Sequence, residues 1–214
     1  MSAKTTPNPP PSTPPASGER QLVLASTSRY RRDLLGRLGL PFITVAPEIV
    51  EASLAGEAPA STALRLAEAK ARSVASRHPQ ALIVGSDQIA DCDGLAIGKP
   101  ENHEDAVAQL AMLSGKTVVF HTGLALLDAK KDRLQTALVD VTSTFRQLSA
   151  AEIDAYLRRD QPYDCAGSVK VEALGIALFT RITSDDPTAL IGLPLIRLTD
   201  MLRASGVAVL TPSR

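Results

Sequence analysis

The chain has 214 residues, of which 44% are hydrophobic and 3% aromatic, a composition typical of an α/β protein with an aliphatic core. Lys plus Arg and Asp plus Glu number 23 each, so the chain has no net charge to attract nucleic acid or an anionic bilayer. No apolar run approaches the roughly 20 residues that a membrane span requires. Nucleic acid and membranes are therefore not expected as partners.

Residues 1–20 are rich in Pro, Ser and Thr, and they lack the apolar stretch of a secretory signal and the arginines of a transit peptide. We predict a disordered tail here, followed by a single domain at residues 21–210. Cys92 and Cys165 are far apart and have no metal-ligand spacing. Both are expected to be free thiols in a reducing compartment, the cytoplasm.

Strands and helices alternate in the first half of the domain. An apolar strand at 22–25 runs into a Ser-Thr-Ser cap and a helix that ends near Gly39, and a second strand covers 42–45. An amphipathic helix of about four turns follows around residues 63–74. A buried strand at 81–84 comes next, and its far end is predicted to carry Gly85-Ser86-Asp87-Gln88.

The second half predicts two long strands and three helices. The strands cover 117–127 and 134–145 and are joined by a polar turn. Helices begin at the caps Asn102 and Ser149 and at Pro194. This order of elements predicts an α/β fold in which helices flank a mixed central β-sheet.

Three hydroxyls and three arginines lie between Ser26 and Arg32, where the first strand turns into a helix. A helix N-terminus presents free N–H groups, and arginine can bind two phosphate oxygens at once, so this turn is a candidate anion site. The alternative is an ordinary helix cap before a solvated basic face.

Asp87 is predicted to lie at the end of a buried strand, where it could hold a divalent cation or accept a proton from water. A turn-forming Asp is the alternative. Lys99 stands between two turn-forming residues, and Lys70 lies away from the ion-pairing stripe of its helix, without an obvious local partner. For both lysines the alternative is an ordinary surface position.

Lys170 and Glu172 stand two residues apart in a turn-rich stretch, so they share one face if the chain is extended. Such a pair suits a polar ligand, and a solvated strand face is the alternative. The histidines His78, His103 and His121 are scattered without ligand spacing, and no role is assigned to them.

Together these motifs resemble the Maf family of nucleoside triphosphate pyrophosphatases over about residues 21–207. The resemblance implies a Maf/inosine triphosphatase-like fold and a small-molecule nucleotide substrate. The matching motifs are Ser26-x-Ser28 with Arg31-Arg32, Glu68-Ala-Lys-Ala71, Ser86-Asp87, Gly98-Lys99-Pro100, Ala166-Gly167 and Ile191-Gly-Leu-Pro194.

The resemblance implies hydrolysis of the bond between the α- and β-phosphates, with Asp87 as proton acceptor. It also implies a Mg²⁺ or Mn²⁺ ion held by Glu51 and Asp87. The catalytic set would be Asp87, Glu51, Lys70 and Lys99, and the phosphate-binding set Ser26, Ser28, Arg31 and Arg32. Two positions depart from the family pattern: Arg29 replaces a usual Pro, and Val50 replaces a frequent Asp, so metal affinity is expected to be lower than typical.

Tyr30, Gln88 and Glu172 match the family branch that acts on 7-methyl-GTP, where the dTTP and UTP branch has Arg, Thr and Gln. A positively charged methylated ring stacks well on an aromatic face, and guanine offers N–H donors to a carboxylate. The alternatives are hydrolysis of dTTP or UTP, and a nucleotide-binding regulator of cell division without turnover. The alternative to a role in base selection is structural: Tyr30 would pack under the first helix and Glu172 would face water. The sequence leaves a homodimer open.

Overall fold

The computed structural model describes residues 20–210, so residues 1–19 of the predicted tail lie outside the described part of the chain. The described residues form one mixed sheet flanked by helices, which confirms the predicted α/β class. The strands are β1 Leu22–Ala25, β2 Phe42–Val45, β3 Leu82–Cys92, β4 Leu95–Ile97, β5 Thr117–Asp128, β6 Arg133–Phe145 and β7 Phe179–Thr183. The helices are α1 Arg29–Gly36, α2 Pro59–Ser73, α3 His103–Leu113, α4 Ala150–Asp160 and α5 Leu195–Ala204.

The sheet order is β2-β1-β3-β5-β6-β7, and β4 pairs with β3. β1 runs parallel to β2 and β3, and the other pairs are antiparallel. Helix α5 and the buried leucines of α1 pack against one face of the central strands, and the alanines of α2 pack against the other. Helices α3 and α4 close the remaining half of the core around Phe120 and Phe145.

The third strand is longer than the sequence predicts. The apolar pattern ends at Val84, but β3 continues to Cys92 because it pairs with β5 over ten consecutive positions. On its other edge β3 pairs with β1 only at residues 82–84 and with β4 only at 90–92. The prediction that Asp87 ends a strand is therefore wrong: Asp87 lies in mid-strand, beside a gap in the sheet.

Two glycines set the distance between α2 and the sheet. A side-chain carbon on Gly85 of β3 would lie 2.1 Å from the Ala67 carbonyl oxygen, and one on Gly123 of β5 would lie 2.2 Å from the Ala63 carbonyl oxygen. Both contacts are far shorter than van der Waals distance, so only glycine lets the helix approach so closely. This approach brings the last turns of α2 next to the middle of β3.

Two further differences concern short elements. β4 and β7, with three and five residues, were not predicted, since such short strands carry little periodicity. The stretch from Pro162 to Glu172 is not extended; it forms turns around a 3₁₀ segment at Ala166–Ser168, with Gly167 and Ser168 at positive φ. None of the helices in residues 20–210 has the length and apolar character that a bilayer crossing requires.

Candidate active site

The gap beside β3 opens into a cavity of about 660 Å³. The turn after β1 forms one wall, the turn after β4 a second, and the segments 164–172 and 190–192 complete the rim. Because β1 and β4 leave residues 85–89 of β3 unpaired on that edge, the side chains of Asp87 and Gln88 both reach the cavity. The predicted residues that line it are Ser26, Ser28, Tyr30, Arg31, Glu51, Lys70, Asp87, Gln88, Lys99 and Glu172.

The turn that precedes α1 is organised by its own hydroxyls. Ser26 is buried, and its Oγ accepts a hydrogen bond from the Ser28 N–H at 3.1 Å. Ser28 is the N-cap of α1 and accepts from the Arg31 N–H. The first turn of α1 therefore points at the cavity wall with an intact cap, the arrangement in which a helix N-terminus favours an anion.

Lys70 is buried against the cavity, with its side chain only 5% exposed. Its Nζ lies 2.7 Å from Asp87 Oδ1 and 2.9 Å from Glu51 Oε2, so one ammonium joins both carboxylates. The alternative of an ordinary surface position for Lys70 is wrong, and Lys70 has two ion-pair partners. The close approach of α2 at Gly85 provides the reason, because it places the long Lys70 side chain beside β3.

Glu51 comes from an irregular loop between β2 and α2, and its side chain is half exposed. Within residues 20–210 no group of three or more His, Cys, Asp or Glu side chains could hold a metal ion. Glu51 and Asp87 nevertheless converge on one point, the Lys70 ammonium, and two carboxylates supplemented by water and substrate phosphates are a usual Mg²⁺ donor set. The residues present therefore fit a divalent cation that binds together with a phosphate chain.

Arg31 points from α1 into the site and donates from Nε to the Gly192 carbonyl at 2.8 Å. Ser86 Oγ donates to the same carbonyl at 2.9 Å. Burial lowers the pKa of the Arg31 guanidinium, while the negative charges of Asp87 and Glu51 raise it. Arg31 therefore lines the cavity as a cation within electrostatic reach of both carboxylates.

The segment that holds Arg31 is itself fixed by Asp186, which is 2% exposed. Its carboxylate accepts from the Thr188 hydroxyl and from the Ile196 N–H at the start of α5, both at 2.7 Å. These bonds anchor the segment whose Ala189, Leu190 and Gly192 carbonyls accept hydrogen bonds from Gln88 and Arg31. Sequence reasoning missed this support because an Asp-Pro-Thr segment looks like an ordinary turn.

Gln88 uses its amide nitrogen within the protein. Nε2 donates to the carbonyls of Ala189 at 2.8 Å and Leu190 at 3.1 Å, and it lies 3.0 Å from Thr122 Oγ1. These three acceptors fix which end of the amide is the nitrogen. Within the described residues, the side-chain carbonyl oxygen of Gln88 accepts no hydrogen bond. Gln88 can therefore offer this oxygen as an acceptor to a ligand. The prediction that Gln88 also offers a donor is wrong, because its amide N–H groups already donate within the protein.

Tyr30 also lines the cavity and belongs to a second cluster of charged groups. Its hydroxyl receives a hydrogen bond from Arg29 Nη2 at 2.6 Å and donates to Asp164 Oδ1 at 3.4 Å. Burial raises the pKa of Tyr30 to about 12, so the phenol stays neutral. Glu172 also lines the cavity, and burial raises the pKa of its carboxyl, opposed first by a hydrogen bond from its own backbone N–H and then by the positive charge of Lys170.

Not every predicted residue reaches the cavity. Arg32 lies outside its lining, with its side chain half exposed and Nε 3.6 Å from Asp33, so the geometry gives a phosphate contact by Arg32 no support. Lys170 is also outside the lining, 6.0 Å from the centre of the Tyr30 ring. Lys99 lines the cavity as an exposed side chain. Sequence reasoning passed over Asp164, which lines the cavity next to Tyr30.

Residues 21–205 match the Maf-like protein family, and the chain belongs to that family. Its relatives include the 7-methyl-GTP pyrophosphatase of Cupriavidus metallidurans, 56% identical over 86% of this chain and 93% of the relative. The protein of the same name from Albidiferax ferrireducens is 54% identical over 90% of this chain and 96% of the relative. A HAM1 protein structure from Coxiella burnetii is similar at 16% identity, with a TM-score of 0.43 over 75% of this chain and 98% of that one. This last similarity is too low for any property to be transferred.

Proposed function

We propose that this chain hydrolyses 7-methyl-GTP to 7-methyl-GMP and pyrophosphate. The observation that carries the proposal is one cavity lined by two chemically different clusters of residues, which we call its two ends. Lys70, Arg31 and Asp87 form the first end, and Tyr30 with Glu172 forms the second. Relatives 54 to 56% identical over most of the chain carry the name of this activity.

The first end suits a triphosphate. Arg31 and Lys70 are cations held by hydrogen bonds, Lys99 adds an exposed cation to the lining, and the turn at Ser26 and Ser28 adds the N–H groups of a helix N-terminus. Fixed cations and dipoles around developing charge are the main source of catalysis in phosphoryl transfer. We therefore assign these residues to phosphate binding, with Lys70 nearest the reacting group.

The metal belongs to the same end. A polyanion placed against Glu51 and Asp87 would meet two negative charges, and a divalent cation between them turns that repulsion into attraction. Mg²⁺ or Mn²⁺, when bound there, would neutralise phosphate charge and polarise the P–O bonds. Glu51 and Asp87 would hold it, and the exposed Val50 beside Glu51 cannot add a third carboxylate.

Asp87 is the residue assigned to the proton transfer. Its carboxylate accepts a proton from a water molecule as the water oxygen bonds to the α-phosphorus. The bond from that phosphorus to the bridging oxygen breaks, and pyrophosphate leaves with the electron pair. Lys70 keeps Asp87 in position and stabilises the charge that builds up on the leaving oxygen.

The second end selects the base through its acceptors. Gln88 offers only a carbonyl oxygen, and Glu172 offers a carboxylate, so this end is complementary to the N–H donors of guanine. Uracil and thymine present carbonyl oxygens along much of the same edge and would be repelled. The negative charge of Glu172 and the face of Tyr30 both favour the positive charge of a 7-methylated ring.

We also propose a cytoplasmic location, where the nucleotide pool lies. Cys92 and Cys165 are both free thiols in the structure, which is compatible with a reducing compartment. Burial raises the pKa of Cys165 to about 12, so this cavity residue is a neutral thiol and no nucleophile.

The direct test of the mechanism is Asp87→Asn. Loss of a general base should lower kcat by about 10²- to 10⁴-fold while the circular dichroism and melting temperature stay close to wild type, since Lys70 keeps Glu51 as a counter-ion. Asp91→Asn, four residues along the same strand and outside the cavity lining, is the matched control and should retain activity. Wild-type turnover by Asp87→Asn would refute the assignment.

The base assignment is tested by ranking 7-methyl-GTP, GTP, dTTP and UTP on wild type and Glu172→Gln. We expect 7-methyl-GTP to rank first in wild type, and its advantage over GTP to shrink in the variant because the attracting charge is gone. Glu101→Gln, an exposed residue outside the cavity lining, removes an equal charge and should leave the ranking as it is. A wild-type preference for dTTP or UTP would contradict the assignment.

A further inference from the structure

Tyr30 already has a cation beside its ring. The Arg29 guanidinium carbon lies 4.6 Å from the centre of the ring, and Nη2 of the same group reaches the Tyr30 hydroxyl at 2.6 Å. Nη2 also lies 4.0 Å from Asp164 Oδ2. Arg29 and Asp164 both line the cavity, so the contact lies inside the site and not behind it.

The residues around this cation form a small acidic and aromatic subsite. Asp164 Oδ1 accepts from the Tyr30 hydroxyl and from the Cys165 thiol, both at 3.4 Å, which turns its carboxylate towards Tyr30. Glu172 is close enough for Arg29 and Asp164 to affect the pKa of its carboxyl in opposite directions. A planar cation therefore contacts one aromatic ring and the Asp164 carboxylate, and it lies within electrostatic reach of the Glu172 carboxylate.

A guanidinium and a 7-methylated guanine share these properties: both are flat, both carry a delocalised positive charge, and both present N–H donors at their edge. We propose that Asp164 and Tyr30 form a cation subsite for the base, and that Arg29 occupies this subsite in the free enzyme until the positively charged purine displaces it. This inference rests on the proposed function and adds Asp164 and Arg29 to the residues that determine specificity.

Displacement of Arg29 affects the binding of 7-methylguanine and of unmethylated guanine differently. Arg29 precedes Tyr30 in the chain, so its displaced side chain stays within the roughly 8 Å over which charges act at physiological salt. There it still repels a cationic base but not a neutral one. Removing Arg29 should therefore favour 7-methyl-GTP more than GTP, and removing the charge of Asp164 should have the opposite effect.

The experiment compares KM for 7-methyl-GTP and GTP in wild type, Arg29→Ala and Asp164→Asn, together with the Kd of 7-methyl-GMP and GMP by calorimetry. Arg29→Ala should lower KM and Kd of the methylated nucleotide about two- to fivefold, the size of an exposed cation–π contact, and those of the unmethylated one less. Asp164→Asn should raise the methylated values by a similar factor. In the double variant the effect of Arg29→Ala should shrink, since its counter-charge is gone.

Arg37→Ala is the matched control, because it removes a cation just past the other end of α1 in an exposed position outside the cavity lining. It should leave the ratio of the two KM values unchanged. Equal weakening of both nucleotides by Arg29→Ala would make Arg29 a phosphate ligand and overturn the inference, as would unchanged ratios in both variants. Absence of pyrophosphate release by wild type would instead refute the proposed function, while the Kd values of the monophosphates would still test the subsite.

Discussion

Lys70 brings a positive charge into a part of the protein that also holds two carboxylates. Its side chain is 5% exposed, that of Asp87 is 8% exposed, and that of Glu51 is half in water. Asp87 therefore depends on Lys70 for the stabilisation of its negative charge, whereas water can solvate Glu51. A buried carboxylate that loses the cation hydrogen-bonded to it is costly, since water cannot replace the lost interaction.

Lys70→Met keeps most of the side-chain volume and removes the charge. We expect a clearly lower melting temperature, because Asp87 is left buried without its cation, and turnover reduced by about one to two powers of ten through the lost contact to phosphate. Adding Asp87→Asn should restore the melting temperature and leave the protein inactive. Equal melting temperatures for Lys70→Met and wild type would show that the pair is accessible to water.

The shifted titration of Glu172 gives a pH dependence. Burial raises the pKa of its carboxyl, so this group takes up a proton at a higher pH than an ordinary glutamate and loses its negative charge as the pH falls. The ratio of KM for 7-methyl-GTP to KM for GTP should therefore rise on acidification, and it should be flatter in Glu172→Gln. Because both substrates carry the same triphosphate, the ratio of the KM values cancels the effect of phosphate protonation. An identical pH dependence of this ratio in wild type and Glu172→Gln would contradict the assignment of Glu172 to base selection.

At the scale of elements, the site depends on how closely α2 approaches β3 and β5. Gly85 and Gly123 lie on adjacent strands under consecutive turns of the helix, near Ala67 and Ala63. The helix backbone therefore rests on the sheet with no side chain in between. This contact determines whether Lys70 reaches Asp87.

Gly85→Ala tests this dependence. Its new carbon would lie 2.1 Å from the Ala67 carbonyl oxygen, so α2 must move away, and we expect about 1–3 kcal/mol of lost stability together with lower activity from the separated Lys70 and Asp87. Gly36→Ala, with nothing within 4 Å of the new carbon, is the control and should be neutral or slightly stabilising within its helix. Full stability of Gly85→Ala, measured by urea unfolding, would show that the helix packing is adaptable.

At the scale of the whole molecule, the cavity arises from strand lengths. β1 and β4 are short and β3 is long, so the sheet is open beside residues 85–89, and the turns that follow β1 and β4 become the cavity walls. Motifs from separate parts of the sequence meet at this gap. This arrangement explains why three residues from different elements line one cavity: Ser26 follows β1, Asp87 lies within β3, and Lys99 follows β4.

Periodicity was sufficient to predict the helices, the buried strands and the mixed sheet, because those patterns record burial along a single element. It could not predict that β3 continues past Val84, since Gly85-Ser86-Asp87-Gln88 is polar and extends only because β5 pairs with it. The ion pair between Lys70 and Asp87 could not be predicted either, because it depends on how closely α2 packs on the sheet at Gly85 and Gly123. The contact between Arg29 and Asp164 depended on a turn-rich segment, which sequence patterns do not orient.

The most direct test of the central claim is identification of the products that purified wild-type protein forms from 7-methyl-GTP with Mg²⁺ or Mn²⁺. Separation by ion-exchange chromatography should give 7-methyl-GMP and pyrophosphate in equal amounts, at a rate above that for GTP, dTTP or UTP. Release of inorganic phosphate with 7-methyl-GDP, or binding of the nucleotide without any product, would contradict the account.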